Sequence, residues 1–250
     1  MPVDARPEHR QRRHEIRLEW GPEGAALLAA KCAVVIVVDV LSFSTAVDIA
    51  VGRGAAILPQ RRVGRADRAA EEAEARALGV QPAGPRGGTR PSLRPSSLME
   101  LPAGTRLALP SPNGATLCAA VAGNGPVLFA GCLRNASAVA AAARAIEGPV
   151  GLVSAGERWP GGTLRVAIED AIGAGAIAAA LPAADRSPEA EQAVAQFAAA
   201  RDRGLADVLA ACASRQELIA DGYGADVTLA AALDASTAAP RWRDGLLQAG

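Results

Sequence analysis

The feature that most constrains this chain is an unbroken apolar run at residues 34–38, followed by Asp39 and then by hydroxyl side chains at Ser42, Ser44 and Thr45. A short run of Val and Ile with no polar residue on either face is typical of a central strand in a parallel sheet. Ligands bind beyond the carboxyl ends of such strands, where helix N-termini present free N–H groups to anions. The stretch predicts the floor of an active site for a phosphate-bearing substrate, with Asp39 holding a metal. The alternative is a core strand whose Asp39 only caps the next helix.

Composition limits the class of protein. The chain has 250 residues, of which 50% are hydrophobic and 3% aromatic, and this length suffices for one α/β domain. A net charge of +0 argues against a nucleic-acid partner. The four cysteines form no CxxC pair, which favours reduced thiols in the cytoplasm. The longest apolar stretch, residues 25–41, is interrupted by Lys31 and Asp39 and is too short to span a membrane.

Two segments are predicted along the chain: a flexible N-terminal arm at residues 1–14 and a single α/β domain at residues 15–245. Within the domain, strand and helix patterns alternate. This alternation predicts a three-layer α/β/α fold with a mainly parallel central sheet. The predicted strands are 15–20, 34–38, 55–58, 106–109, 126–130 and 149–153, and the predicted helices are 23–31, 46–51, 64–78, 115–122, 136–146, 164–181, 188–203 and 205–213.

Polar residues follow several of the predicted strands. Right-handed crossovers place the loops after parallel strands at one edge of the sheet. We therefore expect Asp39 to share one rim with polar or turn-forming residues from the later loops, which are Ser111, Asn113, Gly114, Asn135 and Ser154. Asn113 and Gly114 form a strong turn dipeptide, and Asn135 is also a plausible helix N-cap.

Glu169 and Asp170 lie in the predicted helix 164–181, among apolar neighbours. Two acids in an apolar stretch are costly to bury unless they are paired or bound to a metal. This placement favours a metal-binding or catalytic role for at least one of them. The alternative is an ion pair with an arginine.

Residues 81–102 are rich in Pro, Gly, Ser and Arg. A loop of this length in a compact domain is usually functional or disordered. One interpretation is a lid whose arginines, Arg86 among them, close on an anionic substrate. The other is a flexible insertion.

Several segments together resemble the 2-phosphosulfolactate phosphatase family. Their order and spacing make the resemblance fairly specific, and it extends from about residue 20 to residue 242. The segments are Val37-Val38-Asp39-Val40-Leu41 with Ser44-Thr45, Pro85-Arg86-Gly87-Gly88, residues 96–100, Ser111-Pro112-Asn113-Gly114-Ala115-Thr116, Gly131-Cys132 with Asn135-Ala136, Ser154-Ala155-Gly156 with Glu169-Asp170, Ser214-Arg215-Gln216-Glu217-Leu218, Gly222-Tyr223 and Asp226-Val227.

The resemblance implies a Mg2+-dependent phosphoric monoester hydrolase with a three-layer α/β/α fold. Its expected reaction converts (2R)-2-phospho-3-sulfolactate to 3-sulfolactate and phosphate, on a route to coenzyme M. One departure concerns the substrate, because the family often has Arg where this chain has Ser42. Loss of a cation there would weaken recognition of a dianionic substrate.

A mechanism on these lines assigns roles to the candidate residues. Asp39 with Glu169 or Asp170 would hold Mg2+, which needs few protein carboxylates. Asp39 and Asp170 are the candidate catalytic carboxylates. Phosphate would be bound near the starts of helices and by two arginines, through Ser44, Thr45, Arg86, Ser111, Asn113, Gly114, Asn135 and Arg215.

Two other functions stay open from the residues alone. One is a phosphatase of the same fold that acts on another 2-phospho acid, and the other is a non-catalytic module that binds an anionic metabolite. The expected partner is a small phosphate ester, with no nucleic acid and no membrane, and the sequence is compatible with a homo-oligomer.

Overall fold

A nine-stranded sheet forms the centre of the computed structural model, which describes residues 6–62, 68–182, 185–214, 216 and 224–250. A separate two-stranded hairpin lies beside it. The strands are β1 (Ile16–Trp20), β2 (Val34–Val38), β3 (Ala56–Arg61), β4 (Gln81–Pro82), β5 (Arg106–Ser111), β6 (Val127–Gly131), β7 (Val150–Ser154), β8 (Glu157–Arg158), β9 (Leu164–Arg165), β10 (Arg241–Arg243) and β11 (Leu246–Gln248).

Helices cover both faces of the sheet. They are α1 (Gly21–Ala29), α2 (Phe43–Gly52), α3 (Arg68–Ala77), α4 (Gly114–Val121), α5 (Ala136–Arg144), α6 (Ile168–Ala180), α7 (Pro188–Arg203), α8 (Leu205–Ala211) and α9 (Gly224–Ala230). One core contains residues of α1, α2 and α4, and the other contains residues of α5 to α9. The predicted three-layer α/β/α fold is therefore confirmed.

Strand β2 explains why the apolar run had to be central. Val35 and Val37 point into the core with α1, α2 and α4, while Val34, Ile36 and Val38 point into the opposite core. Successive side chains of a strand alternate between faces, so a strand with helices on both sides must be apolar throughout. All five residues are completely buried, and β2 lies between β6 and β7 with parallel pairing on each side.

The sheet is mainly parallel but has one antiparallel join. Its strand order is β1-β7-β2-β6-β10-β11-β3-β5-β4. The groups β1-β7-β2-β6 and β3-β5-β4 are each parallel, and the hairpin β10-β11 joins them by three successive antiparallel pairings. Because three antiparallel pairings lie between them, the two parallel groups run in opposite directions. The prediction that crossovers put every post-strand loop at one edge is therefore wrong for β5, because the predicted strands did not include β10 and β11.

The loop after β5 nevertheless reaches the end of β2. Five strand spacings of roughly 4.8 Å would put β5 about 24 Å from β2 in a flat sheet. The N–H of Gly114, just after β5, lies 2.7 Å from Asp39 Oδ2. The sheet between β2 and β5 is therefore not flat, and a twist of roughly 20–25° per strand accumulates over such a distance. Asp39 and Gly114 thus meet, as the sequence predicted, although their strands lie far apart in the sheet order.

The predicted helix 164–181 is wrong at its start. Leu164 and Arg165 form β9, and α6 begins only at Ile168. Glu169 and Asp170 therefore lie in the first turn of α6 rather than in mid-helix. A first-turn carboxylate is favoured by the helix dipole, and it can bond to N–H groups beyond the helix.

Residues 6–14 lie against the domain through side-chain contacts. Gln11 bonds to both the N–H and the carbonyl of Leu18, and His14 Nδ1 lies 2.6 Å from Asp185 Oδ1. Residues 1–5 are outside the described ranges, and the flexibility predicted for residues 1–14 stays a prediction. Within the described ranges, no helix combines the length and apolar character needed to cross a bilayer.

Candidate active site

Asp39 directly follows β2, and its carboxylate joins the starts of two helices. Its Oδ2 accepts a hydrogen bond from the N–H of Gly114 at 2.7 Å, and its Oδ1 accepts one from Phe43 at 3.3 Å. A Cβ at position 114 would overlap the Phe43 ring and lie 2.8 Å from Asp39 Oδ2. Glycine at 114 is therefore required for this close approach between β2 and α4.

Asp170 binds the ends of two neighbouring strands from the first turn of α6. Its Oδ1 accepts from the N–H of Val40 and its Oδ2 from the N–H of Gly156, each at 2.8 Å. Its carbonyl accepts the hydroxyl of Ser154 at 3.3 Å. Because Val40 follows β2 and Gly156 follows β7, Asp170 fixes the geometry of both strand ends.

Glu169 and Glu157 complete an acid cluster, which we define as Asp39, Glu157, Glu169 and Asp170. Glu169 is only 2% exposed, and its carboxylate accepts no hydrogen bond from any residue in the described ranges. Glu157 begins the short hairpin β8-β9, and its Oε2 accepts from Asn113 Nδ2 at 2.8 Å. The cluster thus draws its members from the loop after β2, from the β8-β9 hairpin and from the first turn of α6.

The electrostatics of the cluster favour protons or a cation. Burial raises the pKa of Asp39 to about 6, and the charge of Glu169 adds to the rise, while Gly114, Phe43 and Arg86 oppose it. Burial, followed by repulsion from Asp39 and Glu169, raises the pKa of Asp170 well above its ordinary range. Burial and then repulsion from Asp39 raise the pKa of Glu157 to about 7. The carboxyl groups of Asp39, Glu157 and Asp170 therefore resist ionisation at this place.

Arg86 supplies positive charge at the same place. Its Nη1 donates to Ser42 Oγ at 3.3 Å, and its charge acts on Asp39. Ser42, at the position where the resembling family often has Arg, is 3% exposed. The guanidinium of Arg86, from the segment 81–102, therefore lies beside Ser42, the position at which the resembling family often has its own arginine.

Several residues predicted to bind phosphate have side chains engaged inside the fold. The Ser44 hydroxyl donates to the carbonyl of Val37, and the Thr45 hydroxyl donates to that of Val40. Asn135 is fully buried; its Oδ1 accepts from the N–H of Cys132, and its Nδ2 donates to the carbonyls of residues 130 and 238. These three contacts build turns, and phosphate binding by these side chains stays a prediction.

The loop after β5 shows the same engagement. Ser111 Oγ accepts from the N–H of Asn113 at 3.3 Å, and the N–H of Gly114 is directed to Asp39. The loop places Asn113 against Glu157, as part of the site's wall. Arg215 lies outside the described residues, so its predicted role as an anion clamp stays a prediction.

The residues fit a Mg2+ ion by their chemistry. Within the described ranges, no three His, Cys, Asp or Glu side chains are already arranged around one metal position. Mg2+ is, however, commonly bound by one or two carboxylates together with water and substrate phosphate oxygens. The buried Glu169 carboxylate, without a hydrogen-bond donor in the described ranges, and the neighbouring Asp39 provide such oxygens.

Glu157 is the site residue that sequence reasoning missed. It lies three residues after β7, in a hairpin of two-residue strands that was read as loop and helix. Its signal was its position, because it follows Ser154-Ala155-Gly156 at the carboxyl end of a predicted strand.

Comparison with known proteins gives two findings. The family model described as 2-phosphosulpholactate phosphatase matches residues 23–245. A curated protein from Methanothermobacter thermautotrophicus, named 2-phosphosulfolactate phosphatase, is 33% identical over 239 residues, which cover 93% of this chain and 94% of that protein.

Proposed function

Because this chain belongs to the 2-phosphosulfolactate phosphatase family and is a phosphatase of phosphate monoesters, we propose that it hydrolyses (2R)-2-phospho-3-sulfolactate with the help of Mg2+. The acid cluster is the observation that carries this proposal. Four carboxyl groups lie beside Arg86 near the carboxyl end of β2, and three of them have raised pKa values. Such a concentration of acids suits metal-assisted phosphoryl chemistry.

Asp39 and Glu169 would hold the ion, with Asp170 as a further candidate ligand. Bound Mg2+ supplies Lewis acidity, which draws charge from the phosphoryl oxygens and lowers the pKa of a bound water. The two N–H bonds on each of Asp39 and Asp170 fix these carboxylates before substrate arrives. Preorganised groups of this kind need no rearrangement during the reaction.

The remaining residues bind the substrate and move protons. Arg86 is placed to contact an anionic oxygen, since its guanidinium reaches Ser42 and acts on Asp39. Glu157, with a pKa of about 7, can give a proton to the leaving oxygen of the substrate at neutral pH. Asn113 orients the Glu157 carboxyl through the 2.8 Å hydrogen bond. Water then attacks phosphorus as the ester P–O bond breaks, and its proton replaces the one lost by Glu157.

The presence of Ser42, contacted by Arg86, leaves a second class of substrate open. Because the family often has Arg at the position of Ser42, recognition of the sulfonate stays open, and a different phosphorylated 2-hydroxy acid is the alternative substrate. Steady-state specificity for 2-phospho-3-sulfolactate over 2-phospholactate decides between them, because the two differ by the sulfonate.

The proposal also covers the cellular location and the binding partners of the protein. All four cysteines are buried and none forms a disulfide, which supports the expected cytoplasmic location. The net charge of +0 supports the absence of a nucleic-acid partner. A homo-oligomer stays compatible with the sequence.

The decisive experiment compares Asp39→Asn with wild type, in Mg2+, on 2-phospho-3-sulfolactate. We expect kcat/KM to fall by about 100-fold or more, since loss of a metal-holding carboxylate removes several kcal/mol of transition-state stabilisation. Asp202→Asn, at an exposed aspartate on α7, is the control and should leave the rate unchanged. Wild-type activity that persists in Asp39→Asn would contradict the site assignment.

A further inference from the structure

The β8-β9 hairpin directs one arginine toward the acid cluster. Glu157 lies opposite Arg165 across the hairpin, and Arg158 lies opposite Leu164. Side chains of directly opposed residues in an antiparallel pair project from the same face. The charges of Asp39 and Glu169 act on Glu157, and so does the charge of Arg165, so both residues of this pair lie on the cluster-facing side of the hairpin. Arg158 projects from the other face.

Arg165 is held in place by the parts of the chain around it. Its guanidinium carbon lies 5.9 Å from the centre of the Trp159 ring, and its Nη2 donates to Ser214 Oγ at 3.3 Å. A cation stacked on an aromatic face loses less freedom when it binds an anion. Arg158 differs, because it is exposed and its Nη1 donates to the carbonyl of Gly162 in the hairpin turn.

A substrate with two kinds of anionic group needs cations at two places in this site. The acid cluster repels anions, and Arg86 approaches it from Ser42, whereas Arg165 approaches it from the hairpin that carries Glu157. A phosphorylated 2-hydroxy acid carries its phosphoryl group and its acid groups on neighbouring carbons. One cation at each side of the cluster matches that distribution of charge.

We propose that Arg165 binds the sulfonate or carboxylate group of the substrate and thereby sets the preference for phosphorylated 2-hydroxy acids over simple phosphate esters. The inference rests on the proposed function, and it assigns Arg165 to recognition rather than to the phosphoryl chemistry. Arg86 is left to the phosphoryl group.

The test compares Arg165→Gln with Arg158→Gln on 2-phospho-3-sulfolactate, 2-phospholactate and ethyl phosphate. For Arg165→Gln we expect kcat/KM to fall by about 10–100-fold on a phosphorylated acid, the usual effect of losing a charge-assisted hydrogen bond, with KM carrying most of it. Ethyl phosphate has no second acid group, so its kcat/KM should stay within about twofold when it is measured below the Glu157 pKa of about 7, where loss of the Arg165 charge leaves Glu157 protonated. Arg165→Lys, which keeps the charge, should recover part of the loss and shows that the site is intact.

The pattern of loss identifies the group that Arg165 binds. A loss confined to 2-phospho-3-sulfolactate assigns Arg165 to the sulfonate, and a similar loss on both acids assigns it to the carboxylate. Equal losses on all three substrates, no loss on either acid, or the same losses in Arg158→Gln would overturn the proposal.

A binding measurement separates this inference from the phosphatase function. Calorimetric titration with 3-sulfolactate, which has no phosphate, should show binding to wild type that weakens about 10-fold or more in Arg165→Gln. If the wild type hydrolyses none of the three esters, the proposed function fails, and this titration alone decides the role of Arg165. Equal binding of 3-sulfolactate to wild type and to Arg165→Gln would contradict the proposed role of Arg165.

Discussion

Glu157 shows how one partly buried acid can make the stability of the fold depend on pH. Its pKa rises from the ordinary 4.5 to about 7, mainly because burial disfavours its charged form. A carboxyl whose pKa is higher in the folded state stabilises the fold while protonated, and this contribution is lost as pH rises through the folded value. The wild type should therefore lose stability, relative to a neutral variant, between about pH 4.5 and pH 7.

We predict that Glu157→Gln gains stability over wild type as pH rises from 5 to 8, by on the order of 2–3 kcal/mol. The gain arises because glutamine cannot ionise inside the acid cluster. Urea unfolding at both pH values, in a chelating buffer without Mg2+, measures it. Glu147→Gln, at an exposed glutamate, is the control and should show no pH-dependent difference. A constant difference between Glu157→Gln and wild type would contradict the prediction.

For single residues, the position along the chain predicted membership of the candidate site better than the type of side chain did. Asp39 could be placed in the site because it directly ends a buried strand, which is a local property. Ser44 and Asn135 carry groups that suit either a ligand or a turn, and only their partners in space decide between the two. Those partners include residues 130 and 238, which are 108 positions apart in sequence and therefore beyond any local pattern.

Among the elements, the Arg-rich segment depends on a carboxylate from α9. Asp226 is 1% exposed; its Oδ1 accepts from the N–H of Ser96 at 2.7 Å, and its Oδ2 accepts from Arg94 Nε at 3.2 Å. Arg94 Nη1 in turn donates to the carbonyl of Arg86 at 3.4 Å. The contact thus links α9 to the guanidinium beside Ser42.

We predict that Asp226→Ala loosens residues 84–98 and raises the KM for substrate. Removal of a buried ion-pair partner costs up to about 3–5 kcal/mol, and less here because Arg94 is 26% exposed. Amide hydrogen exchange should quicken in residues 84–98 while the strands of the central sheet keep their protection. Asp202→Ala serves as the matched control, because its ion pair with Arg201 is exposed. Unchanged exchange in residues 84–98 would show that other contacts hold the segment.

The error at the start of α6 has a physical cause. Leu164, Val166 and Ile168 alternate with other residues, and all three are exposed, at 41%, 64% and 47%. A period of two favours a strand, but an apolar stretch of this length was merged with the apolar helix that follows. Because the apolar side chains at positions 164, 166 and 168 are exposed, apolar character alone did not show where β9 ends and α6 begins.

For the whole molecule, the hairpin β10-β11 decides the shape of the sheet. Its turn carries Asp244 and Gly245, both with positive φ, at 50° and 83°. An Asp-Gly pair between two short segments, Arg241-Trp242-Arg243 and Leu246-Leu247-Gln248, is a strong hairpin signal, so this element was predictable in principle. Its place between β6 and β3 was not, because each contact there is a single pairing, of residue 241 with 129 and of residue 247 with 57.

Because the hairpin β10-β11 joins the two parallel groups of strands, a substitution in it should lower the stability of the whole fold. Leu247 is completely buried and pairs with Ile57, so it connects β11 to the β3-β5-β4 group. We predict that Leu247→Ala lowers the free energy of unfolding by about 2–4 kcal/mol, the usual cost of a large cavity in a core. For a chain of this size, the melting temperature should fall by roughly 5–15 °C.

Leu78→Ala is the control, because Leu78 is 55% exposed and its truncation leaves no cavity. Thermal melts followed by far-ultraviolet circular dichroism and by tryptophan fluorescence should coincide in both variants if the hairpin keeps the two parallel groups cooperative. Trp20 lies at the end of β1, Trp242 lies in β10 and the exposed Trp159 lies in the turn of the β8-β9 hairpin, so the fluorescence reports on the edge strand, the join and that turn together. A Leu247→Ala protein as stable as Leu78→Ala would mean that the β3-β5-β4 group is held by α2 and α4 rather than by β11. The contact between Gly114 and Asp39 would then depend on the packing of α2 and α4 rather than on β11.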